Sequence, residues 1–295
     1  MLTAETLRKI RRIELRTRKL VNDSFAGAYH AVFKGRGIEF DAVRPYQPGD
    51  DIRSIDWNVT ARAGEPFVKS YTEERELTVM LVIDTSASSF FGTVKRQKHE
   101  LAAELGAVLA YAAIANQDKA GLLLFSDQIE LYVPPRRGRK HVLLLIRDLL
   151  AARPAHKGTD ISLALKSVNR LLKRRAIVFL ISDFLAKPET YQSDLAQLSR
   201  RHDVIAVVLS DLLETQWQSV GLVALQDTET GVIKWVDTAQ KNWTDQFEKQ
   251  AYHLQVRRDQ VFLHAGIDRI DVPSHADYAE ALTAFFRQRV RRLKK

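Results

Sequence analysis

The stretch VMLVIDTSASSF, residues 79–90, changes abruptly from apolar side chains to a carboxylate and several hydroxyls. A continuous apolar run of this kind is typical of a strand buried on both faces of a parallel sheet. The polar end carries Asp84, Ser86 and Ser88 at alternate positions. Helix capping accounts for one such residue, because Ser and Asp side chains accept hydrogen bonds from amides at a helix start. Three of them together predict a binding site.

The sequence after Glu76 alternates strand-like and helix-like segments. Apolar runs occur at 77–84, 119–127, 176–183 and 203–210, and segments with apolar residues at helical spacing separate them. This alternation predicts an α/β fold with a doubly wound, mostly parallel sheet and helices on both faces. Ligands bind such sheets beyond the carboxyl ends of the strands, where the strand order reverses.

Three parts of the chain differ in character. Residues 1–22 read as a basic helix, and residues 23–76 read as a small β-rich segment because turn residues at KGRG, QPGDD and RAGEP separate short extended pieces. Residues 77–295 contain the α/β alternation. Since no flexible hinge precedes residue 77, we expect the β-rich segment to pack on the main domain.

The composition excludes several classes of site and suggests a compartment. The chain has no cysteine, so disulfides, zinc-thiolate sites and a cysteine nucleophile are excluded. No window approaches the roughly 18 apolar residues of a membrane span, and the start lacks the apolar core of a secretion signal. We therefore expect a cytoplasmic protein without a transmembrane segment.

The net charge of +9 comes from the two ends of the chain. Residues 1–20 contribute +5 and residues 287–295 contribute +6, which leaves the sequence between them close to neutral. Basic ends of this kind bind nucleic acid or an anionic membrane in some proteins and are solvated helix faces in others.

A third polar loop completes a candidate site. The segment PAHKGTDIS, residues 154–162, places Thr159 after a glycine at the start of a helix, where the following Asp160 is expected to cap the helix. Two carboxylates and several hydroxyls, without His or Cys, suit a hard cation such as Mg²⁺ or Mn²⁺. The alternative is that these side chains only cap helices and stabilise turns. The predicted metal-binding residues are Asp84, Ser86, Ser88, Thr159 and Asp183.

This pattern carries a resemblance to known proteins. Asp-x-Ser-x-Ser at 84–88, the threonine of Gly-Thr-Asp at 158–160 and an aspartate at a later strand end resemble the metal-ion-dependent adhesion site (MIDAS) of von Willebrand factor A domains. The preceding segment, from FKGRGIEFDAVRPYQPGDD through VMLVIDTSAS, resembles the signature of the bacterial domain-of-unknown-function family number fifty-eight. Members of that family resemble von Willebrand A domains with an added β segment, and are typically encoded beside MoxR-type AAA+ ATPases.

The resemblance implies a binding module. In von Willebrand A domains the metal keeps an open coordination position that an acidic residue of the partner completes. By resemblance, the three hydroxyl residues would coordinate directly, and Asp84 and Asp183 would act directly or through water. The implied function is a metal-dependent protein–protein interaction module that works with a MoxR-type AAA+ ATPase. Its implied role is chaperone-like remodelling, assembly or metal-cofactor insertion of a client protein that offers an acidic residue.

Two other functions remain as alternatives. A Mg²⁺-dependent phosphoester hydrolase would use the same kind of ion, but the chain lacks a phosphate-binding loop and the common hydrolase motifs. We therefore expect no enzymatic activity. Binding of nucleic acid or an anionic membrane through the basic termini is the second alternative, and no nucleic-acid motif supports a specific nucleic-acid partner.

Overall fold

A computed structural model describes residues 8, 11–15, 17, 21, 26–33, 39–72, 76–92, 96–153, 156, 158–228 and 231–293. Most of the predicted basic helix at 1–22 lies outside these residues. Residues 11–15 are helical, and Ile13 packs against the hydrophobic core. No described helix is both long enough and apolar enough to cross a membrane.

The described part of the chain alternates helices and strands. The α-helices are α1 (Ala26–Phe33), α2 (Trp57–Ala63), α3 (Lys98–Ala115), α4 (Arg139–Ala151), α5 (Ile161–Leu171), α6 (Gln192–Arg201), α7 (Lys241–Ala265) and α8 (Tyr278–Leu293). The strands are β1 (Glu39–Pro45), β2 (Phe67–Thr72), β3 (Thr78–Asp84), β4 (Lys119–Phe125), β5 (Ile129–Arg136), β6 (Ile177–Ser182), β7 (Asp203–Ser210), β8 (Leu222–Gln226), β9 (Ile233–Asp237) and β10 (Asp268–Pro273).

The central sheet has six strands in the order β10-β7-β6-β3-β4-β5. Its strands are parallel except β5, which is antiparallel to β4. The chain proceeds from β3 to one side of the sheet and later returns to the other side at β6. The strand order therefore reverses between β3 and β6, which confirms the predicted doubly wound α/β fold and places the crevice for a ligand beside these two strands.

Helices cover both faces of this sheet, as the apolar strands predict. Helices α1, α3, α4 and α8 contribute to the hydrophobic core on one face, and α5, α6 and α7 contribute to the core on the other. Successive side chains of β3 point alternately to the two cores, with Leu81 in the first and Met80 and Val82 in the second. This double burial explains why the strand is apolar throughout.

The segment 23–76 contains the predicted β-hairpin, formed by β1 and β2, and also two helices that the sequence reading missed. The sequence predicts extended structure at residues 26–33, but this segment is the helix α1, which packs on α3 and α8. Its Phe33 lies edge-on to Phe286 with ring centroids 5.7 Å apart. Helix α2 begins where the Asp56 side chain accepts two backbone N–H groups and ends at Gly64, whose φ is +78°. The domain boundaries after residues 22 and 76 stay predictions.

Candidate metal centre

Asp84 and Asp183 lie at the same edge of the sheet. Asp84 is the last residue of β3, and Asp183 directly follows β6. These two strands are parallel neighbours with Ile83 opposite Ile181, so their carboxyl ends meet at the point where the strand order reverses. Both aspartates are buried, with 3% and 7% of their surface exposed. The location predicted from the strand pattern is confirmed.

The Asp84 carboxylate is fixed by two hydrogen bonds. Its Oδ1 accepts the backbone N–H of Ser86 at 2.9 Å, and its Oδ2 accepts the Ser182 hydroxyl at 2.7 Å. Burial and the nearby negative charge of Asp183 raise the pKa of Asp84 to about 6, although hydrogen bonds from Ser86 and Ser182 oppose that shift. The charged form of Asp84 is therefore poorly stabilised by the protein alone, and a bound cation would stabilise it.

The two serines of the motif are adjacent in space. Ser86 Oγ and Ser88 Oγ are 3.1 Å apart. Octahedral Mg²⁺ binds oxygen at about 2.0–2.1 Å, so two neighbouring ligands at right angles lie about 3 Å apart. The serine separation fits two neighbouring ligands of one such ion. A short turn holds this geometry, because the Ser89 hydroxyl donates to the Ser86 carbonyl at 2.7 Å.

Thr159 comes to the same place from a separate loop. The backbone N–H of Asp160 donates to the Ser126 carbonyl at 2.9 Å, which attaches this loop to the end of β4. The Asp160 side chain accepts the N–H of Leu163 at 2.9 Å and caps α5, as predicted. Thr159 lines one cavity together with Ser88 and Asp183. The fold thus gathers the predicted residues at one edge, with Asp84 and Ser86 buried below the cavity.

Two charged residues of the site, Lys98 and Glu214, were not predicted from the sequence. Lys98, the first residue of α3, is completely buried, and its Nζ donates to Asp183 Oδ2 at 2.6 Å and also contacts the Glu214 carboxylate. Burial disfavours the ammonium, but the charges of Asp183 and Glu214 outweigh that effect and raise the pKa of Lys98. Glu214 also accepts the N–H of Asp211 at 3.0 Å, so the loop after β7 is anchored to the site.

The sequence contains patterns from which Lys98 and Glu214 could have been recognised. Lys98 precedes Leu101 and Leu105 by three and seven residues, so it lies on the apolar face of its helix. Glu214 closes the Asp211-Leu-Leu-Glu pattern of a capping box directly after a strand. A charged residue on a buried helix face needs a partner of opposite charge, and this requirement would have linked Lys98 to the strand-end carboxylates.

The donor set fits a divalent hard cation. With Asp84 ionised, the carboxylates of Asp84, Asp183 and Glu214 and the ammonium of Lys98 leave a net charge of minus two. Among the described residues, no group of three or more His, Asp or Glu side chains is arranged to hold a metal ion. The serine and threonine hydroxyls would therefore have to supply ligands, as they would in the predicted site. Metal binding itself stays a prediction.

Residues 42–257 match the family described as "Protein of unknown function DUF58". This chain belongs to the DUF58 family. It is 34% identical over 227 residues to an uncharacterized protein of Mycobacterium tuberculosis, covering 76% of this chain and 71% of that protein.

Two solved structures are similar in fold. An aerotolerance-related membrane protein from Bacteroides fragilis has a TM-score of 0.52 at 15% identity, covering 73% of this chain and 99% of that one. The SpRpn10 VWA domain has a TM-score of 0.43 at 10% identity, covering 70% of this chain and 94% of that domain. At 15% identity, the similarity to the Bacteroides fragilis protein concerns the fold alone.

A large cavity extends from the candidate site of this DUF58 protein. Its volume is about 1400 Å³, and it begins at Ser88, Thr159 and Asp183 and continues between the β8–β9 hairpin and α7. Its far end is aromatic, because Trp217, Trp243 and Phe247 all contribute to its wall. Trp243 and Phe247 are stacked with ring centroids 5.5 Å apart, and Trp217 lies edge-on to Trp243 at 5.8 Å. The cavity therefore joins a polar end to an apolar end.

Proposed function

We propose that this DUF58 protein is a metal-dependent protein–protein interaction module that acts as an adaptor for a MoxR-type AAA+ ATPase. One observation carries the metal part of the proposal: two serine hydroxyls lie 3.1 Å apart beside a buried carboxylate, and one of these serines, Ser88, lines a large open cavity. Family membership and the α/β fold support an interaction module, and the resemblance supports the ATPase as partner.

The five predicted residues would hold Mg²⁺ or Mn²⁺. When bound, the ion would supply an open coordination position for a Glu or Asp side chain of the partner. Ser182 and the Ser86 amide orient Asp84 toward the cluster. Lys98 donates a hydrogen bond to Asp183 Oδ2, and the Leu185 N–H donates to Asp183 Oδ1 at 3.2 Å. These two bonds orient the Asp183 carboxylate. These contacts fix the carboxylates before any ligand arrives, which lowers the entropic cost of binding.

The cavity provides the rest of the binding surface. Its size exceeds the 300–1,000 Å³ that is usual for small-molecule sites, so it suits a segment of polypeptide. A partner segment with an acidic side chain at the metal and large apolar side chains farther along would match its polar and aromatic ends. We propose the client or the ATPase as the source of that segment, and remodelling, assembly or metal-cofactor insertion in the cytoplasm as the outcome.

Catalysis is not part of the proposal. A hydrolase needs a carboxylate or histidine that is free to move a proton at the reacting atom. Asp183 and Glu214 are occupied by the Lys98 ammonium, and Asp84 accepts two hydrogen bonds below the cavity. These contacts favour binding over proton transfer.

The decisive experiment measures binding to a MoxR-type ATPase from the same organism, with Mg²⁺ and with EDTA. We expect binding only with the metal, and an affinity at least about tenfold weaker for Ser86→Ala and for Thr159→Ala, because each change removes a metal ligand. Ser199→Ala is the matched control, since this serine lies in α6 and its hydroxyl bonds only the Ala196 carbonyl. It should bind like the parent protein.

The same proteins also test the hydrolase alternative. The adaptor proposal predicts no phosphoester turnover by the chain alone and a changed ATPase rate when the chain is added. Equal binding in Mg²⁺ and EDTA would contradict metal dependence. Turnover by the isolated chain in Mg²⁺, lost in Ser86→Ala, would establish the hydrolase instead.

A further inference from the structure

Six cations cluster at the edge of the sheet opposite the candidate metal centre. They come from the end of α5, the loop between α5 and β6, and the end of α6, and all are exposed. None of them has a carboxylate partner within the described part of the chain. We call this surface the basic edge, formed by Arg170, Lys173, Arg174, Arg175, Arg200 and Arg201.

Direct contacts hold the two segments of the basic edge together. Arg201 donates to the Asn169 carbonyl at 3.0 Å and to the Leu172 carbonyl at 3.4 Å. The Ala176 N–H donates to His202 Nδ1 at 3.2 Å. His202 is buried, and its burial together with the charges of Arg201 and Arg175 lowers its pKa. The cations therefore form one continuous surface although they lie about 30 positions apart in the sequence.

Helix electrostatics explains only part of this cluster. Cations in the last turn of a helix interact favourably with its dipole, and this accounts for Arg170 in α5 and for Arg200 and Arg201 in α6. The three consecutive cations at 173–175 lie beyond the end of α5, in the loop before β6. No helix end and no carboxylate of the described residues accounts for these three cations, whereas an anionic partner would.

We infer that the basic edge binds the anionic headgroups of a lipid bilayer and attaches the protein peripherally to a membrane surface. Clusters of four to eight basic residues on amphipathic helices attract anionic lipid headgroups, and the basic edge has six cations at and beyond the ends of two helices. A headgroup layer is a broad anionic surface that imposes no fixed pairing, which suits six flexible cations carried by three different elements. Leu171, 38% exposed among them, adds an apolar contact at the boundary.

The composition of the basic edge disfavours other anionic partners. Proteins that bind single-stranded nucleic acid interleave cations with aromatic side chains on which bases stack, and residues 169–176 and 199–203 contain no Phe, Tyr or Trp. The core of a protein–protein interface is depleted of charged residues and enriched in aromatic side chains, whereas the basic edge consists of exposed cations. Residues 170–176 contain no acidic side chain at all.

The position of the basic edge is compatible with the proposed adaptor function. Strand β6 runs from Ile177, directly after the basic loop, to Ser182, directly before Asp183. The two edges are therefore separated by the length of the sheet, about 20 Å for a six-residue strand. A protein held by the basic edge would keep its metal centre and cavity directed away from the lipid.

The test measures co-sedimentation of the full chain with vesicles of phosphatidylcholine alone and of phosphatidylcholine mixed with phosphatidylglycerol. We expect binding only to the anionic vesicles and its loss at high salt, because salt screens exposed charges. Arg174→Gln with Arg175→Gln should weaken binding about thirtyfold, since each cation near an anionic surface contributes about fivefold. Arg170→Gln with Arg200→Gln should act similarly and repeats the test at independent positions.

The control variant is Lys241→Gln with Lys249→Gln. It changes the net charge equally but alters exposed residues in the first half of α7, beside the cavity, and should bind anionic vesicles like the parent. Circular dichroism establishes that each variant is folded. Equal loss in the control, or equal binding to both kinds of vesicle, would overturn the inference. Tighter binding to duplex DNA or to polyglutamate than to anionic vesicles at the same salt would identify a different class of partner.

Discussion

Asp84 shows how one residue connects the folding of this protein to its ligand. Its carboxylate is buried at the end of the central strand, and burial together with Asp183 raises its pKa to about 6. The unfolded chain loses this proton near the ordinary pKa of about 3.9. Between these values the folded protein holds a proton that the unfolded chain has released. The contribution of Asp84 to the free energy of unfolding therefore falls as pH rises from about 4 to 6, and this contribution is constant above 6.

Asp84→Asn should remove that pH dependence. Without divalent metal, the unfolding free energy of the variant should rise by up to about 3 kcal/mol relative to that of the parent between pH 4 and pH 7. The reason is that the parent must form a buried charge over this range and the variant does not. Urea unfolding in EDTA at both pH values measures this difference. Calorimetry should show Mn²⁺ affinity lowered at least about tenfold in the variant. Unchanged Mn²⁺ affinity would show that Asp84 serves the fold alone.

Lys98 provides the second residue-scale prediction. Lys98→Met leaves Asp183 and Glu214 buried without their cation, so the metal-free protein should lose about 3–5 kcal/mol of unfolding free energy. Mn²⁺ should raise the melting temperature of this variant more than that of the parent, because the site then carries an additional net negative charge. Lys119→Met is the control: it breaks an exposed pair with Glu76 at 2.7 Å and should cost less than about 1 kcal/mol.

At the scale of elements, the start of α5 separates a capping role from a metal-binding role. The Asp160 side chain caps this helix, and Thr159 precedes it at the cavity. We expect Asp160→Ala to lower the free energy of unfolding, measured with a chemical denaturant, by about 1 kcal/mol. Asp160→Asn should leave it almost unchanged, because Asn caps a helix equally well. Both variants should bind Mn²⁺ within about twofold of the parent. A large loss of Mn²⁺ affinity in Asp160→Asn would instead make Asp160 a ligand.

The elements also show where sequence periodicity is sufficient and where it is not. The main sheet strands were recognisable because burial on both faces requires uninterrupted apolar residues, as in β3 and β6. Helix α1 was missed because it is short and its Gly and Tyr residues resemble an extended piece. Its helical conformation depends on tertiary contacts, including the Tyr29 hydroxyl that donates to Asp118 at 3.0 Å.

At the scale of the whole molecule, α1 is part of the main core although it precedes the hairpin in sequence. Tyr29 and Val32 are buried in that core, and the Arg289 guanidinium lies over the Phe33 ring at 5.1 Å. A fragment of residues 77–295 should therefore have an unfolding free energy several kcal/mol lower than that of the full chain. It should also bind an apolar dye, because the core surface that α1 covers becomes exposed.

The double variant Tyr29→Ala with Phe33→Ala, made in the full chain, should reproduce much of that loss, since each large-to-small change in a core costs about 3–5 kcal/mol. Thermal and urea unfolding of the three proteins provide the comparison. A fragment as stable as the full chain would show that residues 77–295 fold independently of α1.

The sequence by itself determined the α/β alternation, the edge where Asp84 and Asp183 meet, and the candidate ligands, including Thr159. These features are local: each depends on a strand end or on a short loop motif, and parallel strands bring their carboxyl ends together without further information. Asp160 was likewise recognisable as a cap from its position alone.

Only the tertiary structure decided which distant charges meet. Lys98, Asp183 and Glu214 form one ion network across three separate segments, and the basic edge unites the ends of α5 and α6. The sequence between the basic termini is close to neutral, which concealed this concentration of charge. Which side chains become neighbours depends on strand order and helix packing, and these result from the burial of apolar surface along the whole chain, which no short pattern encodes.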